Sequence, residues 1–184
     1  MSTTSSAALR AWKTDHVAVF SCARCGAVLT PDLAHSPEKL VRPPAQEGRG
    51  PRPSTMPRGF FAIDPEPFGV PFVPAADQDP PVYDLPKAMP GGSTLEIDGV
   101  FFVSAGPRNT IVIHPDDAPS LQLHPDFTRR TGCCGLDGER GPNRVCRCGA
   151  EVATLMADCT GAHELHLDPS RVSSQAETRQ FTSP

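Results

Sequence analysis

Seven cysteines carry the chemistry that can be read from this chain. Cys22 and Cys25 stand in a Cys-Ala-Arg-Cys-Gly run. Cys133 and Cys134 are adjacent, between Gly132 and Gly135. Cys146 and Cys148 flank Arg147 and lead into Gly149, and Cys159 follows Asp158. Thiolates on such short spacings, beside glycines that let the chain turn at positive φ, are soft ligands of the kind that hold zinc in four-coordinate structural sites. Cys-x-x-Cys also serves thioredoxin-like redox sites, but those need a strand-and-helix setting that a proline-rich chain does not offer. An odd number of thiols also fits poorly with a complete disulfide framework.

Spacing narrows the ligand set. In extended backbone, residues i and i+2 face the same way, so Cys146 and Cys148 can meet one ion, whereas the neighbours Cys133 and Cys134 face apart and only one reaches it. The preferred set is Cys22, Cys25, Cys134 and Cys148, since Cys134 and Cys148 each precede a glycine as Cys25 does. Cys133, Cys146 and Cys159 form a second tier; with His163 or His166 they would make a second site. One Zn2+ is expected, and two is the alternative. Closing a loop of about 110 rather than about 12 residues adds only about 2 kcal/mol. Structural zinc supplies roughly 10 to 16 kcal/mol in small peptides, so the sequence gap does not forbid the site.

Cys25-Gly26-Ala27 and Cys148-Gly149-Ala150, each preceded by another cysteine and followed by β-formers, resemble the paired turns of zinc-ribbon and zinc-knuckle modules. The resemblance is confined to these turns and implies a four-cysteine site in which zinc is structural. It departs from the family in its second turn, Cys-x-Cys rather than Cys-x-x-Cys, and in the long gap between the halves. The run Gly132 to Gly138 with Gly141-Pro142-Asn143 is similar to a signature that recurs in bacterial proteins of no assigned function, and implies none here.

The elements that must position these residues are short. The chain of 184 residues has 22 prolines and 15 glycines, too many for long helices, and its 38% apolar content predicts a modest core that a structural metal would support. Val17, Val19 and Phe20 predict a strand over 16–21 that runs into Cys22. Leu95 to Ile97 and Val100 to Val103 around Asp98-Gly99 predict a hairpin, with Ile111 to Ile113 as the third strand of a meander. Residues 151–156 and 164–167 read as further strands. The expected fold is mainly β, with extensive irregular structure, little helix and small antiparallel sheets pinned by the cysteine-rich site. The expected organisation is a flexible tail over 1–15, one zinc-stabilised domain over 16–172 containing a proline-rich linker over 36–58, and a flexible tail over 173–184. The proline-rich run from Pro65 to Pro90 is expected to wrap the outside of the domain, its aromatic groups packed on the core.

His114-Pro115-Asp116 and His124-Pro125-Asp126 repeat a unit that suits either acid/base chemistry or the start of a turn or short helix, with the acid meeting free N–H groups; the turn is the simpler reading. His16 and His35 read as surface or turn residues.

Net charge is −4, without a whole-protein field for nucleic acid or an anionic membrane. The balance is uneven: residues 62–126 hold ten acids against Lys87 and Arg108, while 129–147 hold five arginines against Asp137 and Glu139. No apolar stretch is long enough for a membrane span. The polar start, Met1 to Ala8, lacks the pattern of a secretory leader, so a reducing, cytoplasmic setting is expected. No Gly-x-Ser-x-Gly, phosphate loop or His-Glu-x-x-His occurs. The leading expectation is a non-enzymatic interaction or assembly protein with a protein partner and a structural zinc. The alternatives are nucleic-acid binding through the basic lobe 129–147, and thiol redox chemistry at Cys133, Cys134 or Cys159.

Overall fold

The structure, a computed structural model, describes residues 14–38, 40–43, 52–76, 95–159 and 161–180. The predicted N-terminal tail to residue 13, much of the linker and the proline-rich run over 77–94 with Tyr83 lie outside the described residues. Among the described residues, twelve strands follow one another: β1 (Thr14–Cys22), β2 (Leu33–His35), β3 (Phe60–Asp64), β4 (Phe72–Pro74), β5 (Leu95–Ile97), β6 (Val100–Ser104), β7 (Thr110–Ile113), β8 (Gln122–Leu123), β9 (Arg144–Val145), β10 (Glu151–Met156), β11 (Glu164–Leu167) and β12 (Val172–Gln180). Helix among these residues is limited to the 3-10 turns Pro115–Asp117 and Phe127–Arg129. None of it is long and apolar enough to cross a membrane.

Nine strands form one mixed sheet in the order β12-β1-β2-β3-β7-β11-β10-β9-β8, and β4-β6-β5 form a small antiparallel sheet. The large sheet cannot be flat. β11 and β12 are five strand positions apart, about 24 Å at the usual spacing of about 4.8 Å. Yet Leu167 and Val172 are joined by five peptide links, whose fully extended reach is about 17 Å. The sheet therefore curls until its β12-β1 side returns over β11 and β10. Phe20, Leu33, Phe61, Ile113, Val152 and Leu165 fill the concave side, with Cys22 and Cys146 in the same cluster.

Two expectations about strands are corrected. Ile111 to Ile113 leaves the β5-β6 hairpin and lies between β3 and β11. These three apolar residues are at most 5% exposed, so they need a layer on each face, which an exposed hairpin does not provide. Residues 173–180, expected as part of a loose tail, belong to β12, which pairs with β1 from Cys22↔Val172 to Thr14↔Gln180. Register with a long partner strand outweighs the polar composition of that segment.

The linker is also more than a spacer. Arg42 pairs with Asp64 and with Glu164, the latter at 2.9 Å, on the convex side of the sheet. Arg58 lies 3.5 Å from the buried Asp117, which also accepts Gly59 N–H at 2.8 Å. The partners of these two arginines lie on β3, on β11 and in the Pro115–Asp117 turn. Beyond the linker, Phe68 is 2% exposed and its ring stacks on His166 with centroids 3.5 Å apart, so the start of the proline-rich run packs onto the domain.

At the β9 end of the sheet, a side chain replaces a missing strand. Asn143, fully buried, donates to Leu155 O at 2.8 Å and accepts Leu155 N–H at 2.7 Å. Asn143→Leu would strand two buried backbone groups and is expected to cost about 2 to 4 kcal/mol, read as a lower denaturant midpoint at unchanged slope.

Candidate metal centres

Two hairpin tips carry the first cysteine group. β1 ends at Cys22, where Gly26 N–H donates to Cys22 O and Cys22 N–H donates to Ala27 O, both at 2.8 Å. β9 and β10 are joined by a tighter copy: Gly149 N–H donates to Cys146 O and Cys146 N–H to Ala150 O, again both at 2.8 Å. Gly26 and Gly149 sit at φ of +70° and +78°, the left-handed conformation that each tip needs to reverse the chain. The second tip is one residue shorter, which is why Cys-x-Cys does there what Cys-x-x-Cys does in the first.

The curl of the sheet brings the tips together. Cys25 Sγ lies 3.6 Å from Cys146 Sγ and Cys22 Sγ lies 3.8 Å from Cys148 Sγ. All four sulfurs are within 4.8 Å of one another, in a group that could hold a metal ion. Cys22 and Cys146 are buried, Cys148 is half-buried and Cys25 exposed, so the group forms the rim of the core. Two of these thiols, Cys146 and Cys148, are shifted in opposite directions. Burial pushes Cys146 up to about 12. The Ala150 N–H donated to Cys148 brings that thiol down to about 7. Low-dielectric surroundings resist a second negative charge beside the first, a cost that a metal ion would remove.

Cys134 is not in this group, contrary to the expected set; Cys146 takes its place. Cys133, Cys134 and Cys159 form a second group, also within 4.8 Å of one another, that could hold a metal ion. The neighbours Cys133 and Cys134, expected to face apart, have sulfurs 3.8 Å apart. The reason is local: the chain bends at 133–135, after Gly132 at φ +135°, so strand alternation does not apply. The sequence signal for Cys146 was its two-residue spacing from Cys148; a following glycine was not sufficient.

No histidine joins either group among the described residues. His166 is 2% exposed with both ring nitrogens engaged, Nδ1 with Thr110 Oγ1 at 2.8 Å and Nε2 with Glu164 Oε2 at 2.7 Å. It borders a cleft of about 260 Å³ that also meets Arg129, Glu151 and Arg171, but its two nitrogens are committed to the wall. His163 faces His114, with ring centroids 6.2 Å apart. His35 is exposed beside Phe61. The His-Pro-Asp units are turns, and the imidazole itself does the capping: His114 Nδ1 accepts Asp116 N–H at 3.1 Å, and His124 Nδ1 accepts Asp126 N–H at 3.0 Å. In the second unit Asp126 also accepts Thr128 N–H at 2.9 Å.

Several arginines of the basic lobe are engaged within the chain. Arg129 pairs with Glu151 at 3.2 Å and donates to Pro142 O at 3.1 Å. Arg130 donates to His124 O at 2.6 Å and lies over the Phe127 ring. Burial lowers the pKa of Arg144. Comparison of the chain with protein families, with curated proteins and with solved structures gives no match in any of the three.

Proposed function

We propose that Cys22, Cys25, Cys146 and Cys148 hold one structural Zn2+, and that the protein is a non-enzymatic interaction or assembly module whose curled sheet this ion clasps. The observation that carries the reading is the sulfur spacing. A tetrahedral ion with metal–sulfur bonds of about 2.3 Å sets its ligand sulfurs about 3.8 Å apart. The sulfur pairs here stand at 3.6 and 3.8 Å. A disulfide requires about 2.05 Å, so the pairs are spaced for an ion between them. Four thiolates suit zinc over the hard, oxygen-seeking cations.

Four protein ligands leave no coordination position for water or substrate, so such an ion stabilises and does not catalyse. A protein partner fits the surface as well: Phe127 is 78% exposed beneath the Arg130 guanidinium, a pairing of the kind enriched at interfaces. Nucleic-acid binding through 129–147 is the weaker reading, because Arg129 and Arg130 are held by Glu151, Pro142 and His124 within the chain. Elemental analysis of protein purified without added metal is the direct test. Zinc at one or more equivalents, with Cys25 and Cys148 protected from alkylation, is the expected result. Metal-free native protein with four freely reactive tetrad thiols would overturn it.

A further inference from the structure

The second cysteine group lies apart from the tetrad and has a different chemistry. It is assembled from two segments whose backbones touch. A Cβ on Gly132 would fall 1.8 Å from Gly135 O, and a Cβ on Gly135 would fall 2.4 Å from Ala157 O, so only glycine lets 132–135 lie directly on 157–159. Ala157 N–H donates to Leu136 O at 2.8 Å and Asp137 N–H to Thr131 O at 2.9 Å, holding the bend in place. Asp158, 2% exposed, reaches both halves: its Oδ2 accepts Cys134 N–H at 2.9 Å and its Oδ1 lies 3.4 Å from Cys159 Sγ.

A disulfide uses this group poorly. Adjacent Cα atoms are about 3.8 Å apart, below the span of about 4.4 to 6.8 Å that disulfides adopt, so Cys133 and Cys134 are a strained pair. Bonding either one to Cys159 leaves the other sulfur behind. A cation uses all three and offsets their mutual repulsion and that of Asp158. We propose that Cys133, Cys134 and Cys159 form a second, three-thiolate metal site that takes a thiophilic divalent ion such as Zn2+ and leaves its fourth coordination position open to solvent. Among the described residues no further cysteine, histidine or carboxylate joins the group, and Cys133 and Cys134 are exposed. An open position distinguishes this ion from the clasp: it can accept a water or a donor from outside the chain, as closed four-ligand sites cannot. Asp158 is a positioning residue that orients the ligands, as carboxylates beside metal sites commonly do.

The test is Zn2+ titration of reduced full-length protein followed by native mass spectrometry. Two ions are expected in the wild type and one in Cys133→Ser, with an unchanged circular dichroism spectrum because Cys133 is on the surface. Cys25→Ser should lose the other ion. If that variant does not fold, alkylation mapping of the wild type supplies the same partition, since each ion protects its own cysteines. A single ion that survives Cys133→Ser overturns this proposal and leaves the clasp standing. A single ion that Cys133→Ser abolishes overturns the clasp and leaves this site standing. In the Co2+-loaded protein, added imidazole should shift the bands that Cys133→Ser removes; bands that do not respond would refute the open position.

Discussion

Cys146→Ser is expected to leave little folded protein at 25 °C, and excess chelator is expected to do the same to the wild type, while Cys134→Ser keeps the fold. Cys146 is 1% exposed within the main core, and its sulfur faces that of Cys25 across 121 residues of chain. The stability of an ordinary domain is about 5 to 15 kcal/mol, and a structural zinc contributes a comparable roughly 10 to 16 kcal/mol in small peptides, so on the proposed zinc clasp the loss of one buried ligand can exhaust the whole margin. Serine is also a poor substitute, since its hydroxyl stays protonated and would sit in an apolar cluster without a partner. Thermal melts by circular dichroism with and without chelator measure the effect. A Cys146→Ser melting temperature within a few degrees of wild type would show that core packing alone closes the sheet.

The second large effect concerns charge on the opposite face. Glu164 is fully buried, yet its carboxyl is held well below its ordinary value of 4.5, at about 2. Burial alone would raise it; the hydrogen bond and charge of His166, the charge of Arg42 and the Thr55 hydroxyl outweigh that. Because the folded-state value lies below the unfolded one, ionised Glu164 favours folding in full above about pH 5 and the gain is lost as pH falls toward 2. A shift of this size corresponds to about 3 kcal/mol. Glu164→Gln leaves Arg42 with Asp64 alone and is expected to destabilise by about 3 to 5 kcal/mol at neutral pH, the range for breaking a buried ion pair. The difference between wild type and variant should close between about pH 5 and pH 2. A pH-independent difference would instead mean that lost packing, not lost charge, is responsible.

Strands were legible wherever alternation or a hairpin signal was local. The run into Cys22, the Asp98-Gly99 hairpin, and the segments 151–156 and 164–167 all appear as β1, β5-β6, β10 and β11. What a strand pairs with was not legible, because pairing partners are far away in the chain. Ile111 to Ile113 was placed with its sequence neighbours, and the burial of both its faces moves it to β3 and β11. Arg42 shows the same limit: its partners Asp64 and Glu164 lie 22 and 122 residues away, and only the sheet brings them to it.

The sequence by itself determined that this protein is β-rich, short in helix and built around clustered thiols, because side-chain type, glycine placement and proline content act over a few residues. Tertiary structure decided which of these thiols meet across the chain. Cys146 joins Cys22, Cys25 and Cys148, and Cys134 joins Cys133 and Cys159, because the first choice depends on a sheet curled through five strand positions and the second on a glycine bend pressed against residues 157–159. Sulfur-to-sulfur distance is a property of those long-range contacts, and no local spacing rule contains it.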